Sequence, residues 1–197
     1  MARQTHIKIL RPTQMTLGMR EVTRRGDQIK QLSSKELEAY LADRVVPCVI
    51  GPGKSLYLID RHHMCRALLD ANLDTVMCEV VSDVTGLGEE EFWRFMDLRG
   101  WVHPFDRDGK RCAVEAVPGR VADLVDDPYR ALAGFLRRDS GFKKADTPFE
   151  EFIWADYLRH RVAVDLVQSD FEKAGTQALK LARSRAARHL PGWHGVD

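Results

Sequence analysis

The sequence predicts a mixed α/β fold, and three observations lead to this prediction. Most of its β-branched runs lie within residues 1–85, whereas the remainder has the apolar spacing of helices. Apolar residues make up 44% and charged residues 30% of the chain, which is typical of a globular protein. No apolar run approaches the roughly 18 residues that would span a membrane. We therefore expect a small mixed sheet in residues 1–85, followed by a helical extension over residues 86–197 that packs on it.

The charge balance and the termini limit the classes of partner. Thirty Lys and Arg residues against 29 Asp and Glu residues give a net charge of +1. A protein that coats duplex DNA normally has a strongly basic surface, so nucleic acid is not the favoured partner, although a nucleotide or short strand is compatible with this charge.

The N-terminus has no apolar signal sequence, which favours a cytoplasmic protein. The four cysteines lack CxxC spacing and indicate buried small side chains rather than a zinc site.

Local patterns locate the elements in order. Polar and apolar residues alternate over His6–Leu10, which predicts a short strand. Ser33 and Glu36 have capping-box spacing and open a helix. Strands over Val45–Ile50 and Ser55–Ile59 flank a Gly-Pro-Gly turn. The other predicted elements are a helix over about residues 61–71, a strand over 75–81, and extension helices over 89–98, 128–138, 148–161 and 169–189.

The most informative segment is the junction between strand and helix at Asp60. An apolar strand ends at this acid and continues into a helix whose first turn carries His62 and His63. The apolar spacing predicts that one face of the helix packs on the sheet, with His62 and Arg66 on the opposite side. Because a helix N-terminus exposes N–H groups and a partial positive charge, imidazoles and a guanidinium there predict a phosphate site. We expect Asp60 to cap the helix, to hold a metal ion or to orient a histidine.

Two other segments carry candidate site residues. The segment over residues 10–22 contains Arg20, which can bind phosphate through two hydrogen bonds, and Glu21, which can act as a general base. The alternative for this segment is the start of a surface helix with both side chains in water. Trp101, His103 and Asp106 offer a stacking surface and a phosphate contact, but a loop held to the helical layer by its aromatic residues is favoured.

These motifs resemble the ParB/sulfiredoxin fold over about residues 10–81, and most closely the group of ParB-like nucleases. Stretches such as Gly-Pro-Gly, Gly-Trp-Val-His-Pro-Phe-Asp and Thr-Pro-Phe extend the similarity to the ParB-like group over most of the chain. In the ParB signature the acid corresponds to Asp60, and the closing Arg-Ala pair corresponds to residues 66–67. His62, His63 and Met64 replace its Glu-Arg-Arg. The catalytic cysteine of sulfiredoxins corresponds to His62, so sulfiredoxin chemistry is not expected.

The same junction is similar to the Asp-Gly-His-His-Arg motif of ADP-dependent free-serine kinases. Asp60, His62 and His63 match that motif, whereas Arg61 replaces its Gly and Met64 its Arg. This resemblance implies nucleotide-dependent phosphoryl transfer. Taken with the ParB-like resemblance, the expected reaction is phosphoryl transfer or nucleotide hydrolysis, with Mg²⁺ and ADP, ATP or CTP as cofactors.

The expected site therefore combines the two segments in one enzyme. His62, His63 and Arg66 hold phosphate there, with Arg20 as a further phosphate contact. Asp60 holds the metal or orients a histidine, and Glu21 acts as base. The expected ligand is a small phosphorylated molecule or a nucleotide, and no membrane is involved. One alternative is a nuclease that uses the same site on a phosphodiester. The other is a non-catalytic module that binds a nucleotide or a DNA-bound partner.

Overall fold

The structure is a computed structural model that describes residues 1–195. Its main feature is a five-stranded mixed sheet with the strand order β1-β6-β4-β5-β2. Strand β6 pairs antiparallel with β1 and parallel with β4, while β5 pairs antiparallel with β4 and parallel with β2. A separate pair, β3 and β7, is parallel. The strands are β1 (Arg3–His6), β2 (Leu10–Arg11), β3 (Thr16–Leu17), β4 (Val46–Ile50), β5 (Leu56–Leu58), β6 (Thr75–Asp83) and β7 (Val125–Asp126).

Eight α-helices surround and extend this sheet within the described part of the chain. Helix α1 packs on α3, and α5 packs on α1, α6, α7 and α8. The mixed α/β prediction is therefore confirmed. No helix in residues 1–195 is long and apolar enough to cross a membrane. The helices are α1 (Met19–Lys30), α2 (Ser34–Asp43), α3 (His62–Asp70), α4 (Glu89–Leu98), α5 (Pro128–Arg138), α6 (Glu150–Arg159), α7 (Val164–Ser169) and α8 (Phe171–Arg183).

The predicted strand over His6–Leu10 is wrong, because a 3-10 turn over Ile7–Ile9 divides it. Strand β1 ends at His6 on one edge of the sheet, and β2 begins at Leu10 on the other edge. The alternation is incomplete, since Ile7 and Leu10 are fully buried while Ile9 is exposed. Burial three residues apart is the spacing of a 3-10 turn. Because three residues are too few to cross five strands, the sheet curls so that its two edge strands lie close together.

Three apolar clusters hold these layers together. One lies between the sheet and helices α1 to α3, and it also takes in Val121 and Leu124 from the second half of the chain. A second joins helices α5 to α8 around Trp154. A third packs Phe92 and Met96 of α4 on the opposite face of the sheet. Three of the four cysteines are buried, as the sequence predicted, and all four are free thiols.

Candidate functional site

The junction after β5 positions both histidines. Asp60 is exposed, and its Oδ1 accepts a hydrogen bond of 2.6 Å from the Arg61 N–H. The expectation that Asp60 caps α3 is corrected, because Arg61 is the N-cap residue and no side chain caps the helix. Arg61 has a left-handed backbone with φ of 70°. This turn leads the chain from the end of β5 into α3, and His62 and His63 lie in the first turn of that helix.

Both histidines are hydrogen-bond acceptors of main-chain N–H groups. His62 Nε2 accepts from the Thr13 N–H at 3.1 Å, and His63 Nε2 accepts from the Gly18 N–H at 3.1 Å. A neutral imidazole that accepts at Nε2 carries its proton on Nδ1. Neither Nδ1 atom has a hydrogen-bond partner among residues 1–195. Each ring can therefore offer one N–H donor.

Burial keeps these rings neutral. His62 is 5% exposed, and burial together with the nearby charge of Arg130 lowers its pKa to about 3. Burial also lowers the pKa of His63 well below its ordinary value, with smaller contributions from Arg130, Arg25 and His62. The sequence places His62 on the side of α3 opposite its packed face, but that side is enclosed as well, since His62 is buried and accepts the Thr13 N–H.

Arg130, in the first turn of α5, is the most unusual side chain of the site. It is 5% exposed, and its guanidinium lies 3.6 Å from the ring centre of Phe152. Its Nη1 lies 3.4 Å from a carboxylate oxygen of Glu151. Neither Nε nor Nη1 has a hydrogen-bond partner of suitable geometry within residues 1–195. Burial lowers the pKa of Arg130, although a guanidinium stays charged at neutral pH.

Glu21 lies at the centre of a group of arginines. Its carboxylate pairs with Arg24 at 2.7 Å, with Arg25 at 2.8 Å and with Arg138 of α5. Burial alone would raise the pKa of Glu21, but the hydrogen bond from Arg24 and the charges of Arg25 and Arg138 outweigh it and lower the pKa. A carboxylate held in this way is a weak proton acceptor.

These groups line one cavity of about 470 Å³ between α1, α3, α5 and α6. With the histidines neutral, the lining has seven cationic side chains against four carboxylates, a surplus of three positive charges. Phe149 and Phe152 add aromatic surface. The cationic residues are Arg24, Arg25, Arg61, Arg130, Arg137, Arg138 and Lys144, and the acidic residues are Glu21, Asp60, Glu150 and Glu151.

The structure brings Glu21, Asp60, His62 and His63 together at this cavity, but not Arg20 or Arg66. Arg20 extends to the other side of α1 and lies 4.4 Å from the ring centre of Phe171. The Arg66 guanidinium donates to the Ala122 and Leu124 carbonyls at 3.1 and 2.9 Å, and to Asp70. The expectation that Arg20 and Arg66 share one site with the histidines is therefore corrected. Arg66 fastens the 121–124 segment to α3 instead.

The loop after α4 has an anchored structure. The His103 ring stacks on Phe105 at 4.3 Å and lies 3.8 Å from the centre of Phe152. Burial lowers the pKa of His103 to about 3, helped by the charges of Arg130 and Arg111. Trp101 packs against Phe95, and Asp106 accepts main-chain N–H groups within its own turn. His103 and Asp106 line a separate cavity of about 270 Å³.

Sequence reasoning missed the cations that come from α5 and from the segment after it. Arg130, Arg137 and Arg138 lie on one face of α5 with Gly134, and Lys144 follows in the next loop. The only available signal was the spacing of these residues at i, i+4, i+7 and i+8 on a helix that was correctly predicted. Cationic spacing of this kind usually marks a solvated helix face. The sequence alone therefore does not distinguish a solvated face from one that lines a cavity.

The donor set fits Mg²⁺ only in part. Among residues 1–195, no group of three or more His, Cys, Asp or Glu side chains is arranged to hold a metal ion. Mg²⁺ is commonly held by one or two carboxylates together with substrate phosphates. Asp60 is the cavity carboxylate that forms no salt bridge with a cationic side chain of residues 1–195, whereas Glu21, Glu150 and Glu151 each do. It can therefore hold Mg²⁺ only together with a phosphorylated ligand.

Comparison with known proteins places this site in a family. Residues 3–160 match a family model described as "Putative ParB-like nuclease". The chain belongs to the ParB-like nuclease family. The matched residues include both histidines, Glu21 and the cationic face of α5, so the family region contains the whole cavity. The resemblance predicted from the sequence is confirmed.

Two solved structures compare with this ParB-like chain. The crystal structure of protein Atu1540 from Agrobacterium tumefaciens is 42% identical, with a TM-score of 0.94, and the match covers 100% of this chain and 98% of that one. The C-terminally truncated chromosome-partitioning protein ParB from Caulobacter crescentus, complexed with CTP-gamma-S, is 11% identical with a TM-score of 0.35. That match covers 94% of this chain and 93% of ParB. No curated protein matches the chain.

Proposed function

We propose that the cavity binds a phosphorylated small molecule, preferably a nucleotide, and that phosphoryl transfer or hydrolysis takes place on it. The observation that carries this proposal is the buried guanidinium of Arg130, a cavity-lining side chain whose charge is balanced only in part, by Glu151 at 3.4 Å. Buried charge without full compensation destabilises a fold, typically by about 3–5 kcal/mol. A guanidinium kept in such a place at a cavity wall supports a role in anion recognition.

The neighbouring groups support the same role. The Nδ1–H groups of His62 and His63 are neutral donors, so they can bind an oxyanion without first taking up a proton. We assign to Glu21 the positioning of Arg24, Arg25 and Arg138 rather than the role of base, because its pKa is lowered. Asp60 is the better candidate for metal binding or proton transfer. The Phe149 ring offers a surface on which a nucleobase can stack, since Arg130 and His103 occupy the two faces of Phe152.

Arg130→Met tests the proposal, with Arg161→Met as its matched control. Arg161 also stacks on an aromatic ring, at 3.9 Å from the centre of Tyr157, but it does not line the cavity. Melting temperatures are measured with inorganic phosphate, ADP, ATP and CTP, each with and without Mg²⁺. A ligand at a hundredfold excess over Kd stabilises the folded state by about 2.7 kcal/mol.

We expect Arg130→Met to abolish the ligand-induced rise in melting temperature while the unliganded protein stays folded, because the substitution removes a poorly compensated buried charge. Arg161→Met should retain the full ligand response. The proposal is contradicted if no phosphate compound raises the melting temperature of the parent protein at millimolar concentration. It is equally contradicted if Arg130→Met responds to ligand as the parent does.

Phosphodiester cleavage is a second candidate, and the family description is the observation that favours it. The same donors would then contact a strand phosphate. Cleavage of single- and double-stranded DNA and RNA with Mg²⁺ or Mn²⁺ would be measured for the parent protein and for His63→Ala. The charge balance of the chain leads us to expect little cleavage. Robust turnover that disappears in His63→Ala would make cleavage the better assignment.

A further inference from the structure

The cations of α5 form a row rather than a single point. Arg130, Gly134, Arg137 and Arg138 share one face of the helix and line the cavity. With a rise of 1.5 Å per residue, Arg130 and Arg137 lie about 10 Å apart along the helix axis. A single phosphate group is much shorter than this row.

The two ends of the row are held apart by different partners. The Arg130 guanidinium is fixed over Phe152. Arg137 Nε lies 3.9 Å from Glu150, and Arg138 pairs with Glu21 on α1. Because each guanidinium has its own partner, the row does not converge on one point.

The charge of the cavity also exceeds that of one phosphate. The lining has a surplus of three positive charges. A phosphate monoester carries about −1.5 to −2 charges at pH 7 and would leave part of this surplus uncompensated. A chain of two or three linked phosphates carries more charge and extends along the row.

Gly134 gives such a chain room against the helix. A Cβ atom built at this position meets only the Arg138 guanidinium, at 3.8 Å, so it would project into the cavity. Glycine inside a helix costs about 1 kcal/mol relative to alanine. Gly134 lies midway between Arg130 and Arg137. Its missing side chain leaves space in the cavity where the middle of an extended anion would lie.

We propose that the cavity recognises a linear polyphosphate chain of two or more linked phosphates, bound lengthwise along α5 between Arg130 and Arg137. This inference rests on the proposed anion site and names the ligand class that the site selects. A nucleoside diphosphate or triphosphate supplies such a chain. Inorganic pyrophosphate and tripolyphosphate supply the same chemistry without a base.

The test is calorimetric titration at constant ionic strength, in EDTA, with inorganic phosphate, pyrophosphate and tripolyphosphate. We expect Kd to fall at least about tenfold from phosphate to pyrophosphate and to fall further for tripolyphosphate. Arg137→Gln should remove most of this gain with chain length. Lys180→Gln, which removes an exposed cation of α8 outside the cavity, should leave it unchanged.

Gly134→Ala separates ligand recognition from folding. The substitution should raise the melting temperature, because alanine favours the helix, and yet weaken tripolyphosphate binding at least about fivefold. If phosphate and tripolyphosphate bind equally well, the site takes a single phosphate, and this inference fails while the proposed function stands. If no anion binds, the proposed function itself fails.

A dinucleotide, pTpT, distinguishes linked phosphates from phosphates spaced by a sugar. We expect pTpT to bind more weakly than pyrophosphate, since its two phosphates are separated by a sugar. Tighter binding of pTpT would overturn the polyphosphate assignment in favour of a nucleic-acid strand. A gain with chain length that survives both Arg137→Gln and Gly134→Ala would indicate diffuse attraction by the surface and would also overturn it.

Discussion

At the scale of single residues, the backbone of Arg61 is the clearest departure from local preference. Its left-handed conformation costs an L-residue about 1–2 kcal/mol relative to glycine. Glycine would adopt this backbone conformation without that cost. The side chain of Arg61 lines the cavity, so its charge offers a reason to tolerate the strain.

We therefore expect Arg61→Gly to raise the free energy of unfolding by roughly 0.5–1 kcal/mol, after the greater entropy of glycine in the unfolded chain is subtracted. Urea denaturation measures this change. Arg61→Ala is the control, because it removes the charge but keeps the strained backbone, and it should give no gain. An equal gain in both variants would assign the effect to charge instead of backbone.

The buried histidines make stability depend on pH. Because the pKa of His62 is about 3 in the folded protein and about 6.5 in an unfolded chain, the unfolded state binds more protons at intermediate pH. Stability is therefore greatest above pH 6.5 and falls as the pH falls towards 3. Between pH 6.5 and 5.5, His62 alone should remove about 1 kcal/mol from the free energy of unfolding.

His62→Gln isolates this effect, since the glutamine oxygen can still accept the Thr13 N–H. Urea midpoints at pH 6.5 and 5.5 are compared between the two proteins. The variant should lose about 1 kcal/mol less than the parent over this interval. Identical losses would mean that the ring can be protonated without cost to folding.

Local signals were sufficient for some elements but not for the contacts between them. The capping box at Ser33 and Glu36 is present as predicted, and the helices over 89–98 and 128–138 have the predicted bounds. The sequence predicted α1 only as an alternative, as the start of a surface helix, because residues 10–22 lack strong periodicity. Its burial against α3 and α5 depends on partners distant in sequence, and so does the orientation of Arg20 and Arg66.

At the scale of elements, the contact between α1 and α5 determines the geometry of the cavity. A Cβ atom at Gly18 would lie 2.5 Å from the Ala131 main-chain nitrogen. No side chain fits there without separation of the two helix N-termini. Because the Gly18 N–H also donates to His63, the same close approach holds the imidazole in its tautomer.

Gly18→Ala should accordingly destabilise the protein by about 1–3 kcal/mol and weaken anion binding. Gly119→Ala is the matched control, since a Cβ at that exposed position meets nothing within 4 Å, and its effect should stay within about 0.5 kcal/mol. Chemical denaturation and phosphate titration measure the two effects. A fully stable Gly18→Ala protein would show that the helices can separate without cost.

At the scale of the whole molecule, the two halves of the chain are joined by a strand pair, by hydrogen bonds and by a common apolar core. Strand β3 pairs with β7, Arg66 holds the carbonyls of the 121–124 segment, and Val121 and Leu124 belong to the core under the sheet. The expected division at residue 85 remains a proposal about sequence organisation. The family match crosses that position.

We expect residues 1–85 and the remainder to unfold together. Differential scanning calorimetry should give a single transition whose calorimetric and van't Hoff enthalpies agree. A saturating anion should move this transition as one peak. Two resolved transitions, with only one of them shifted by ligand, would show that the halves are independent folding units.

The parallel pairing of β3 with β7 has a consequence for the order of events during synthesis. The pairing joins Thr16 to Val125, and the opposite wall of the cavity comes from α5 and α6, as far along the chain as Phe152. A nascent chain that carries only the histidine turn has no complete binding surface, however well its sheet has formed. Ligand can therefore engage only once the ribosome has released α6, so ligand capture reports that synthesis has passed this helix.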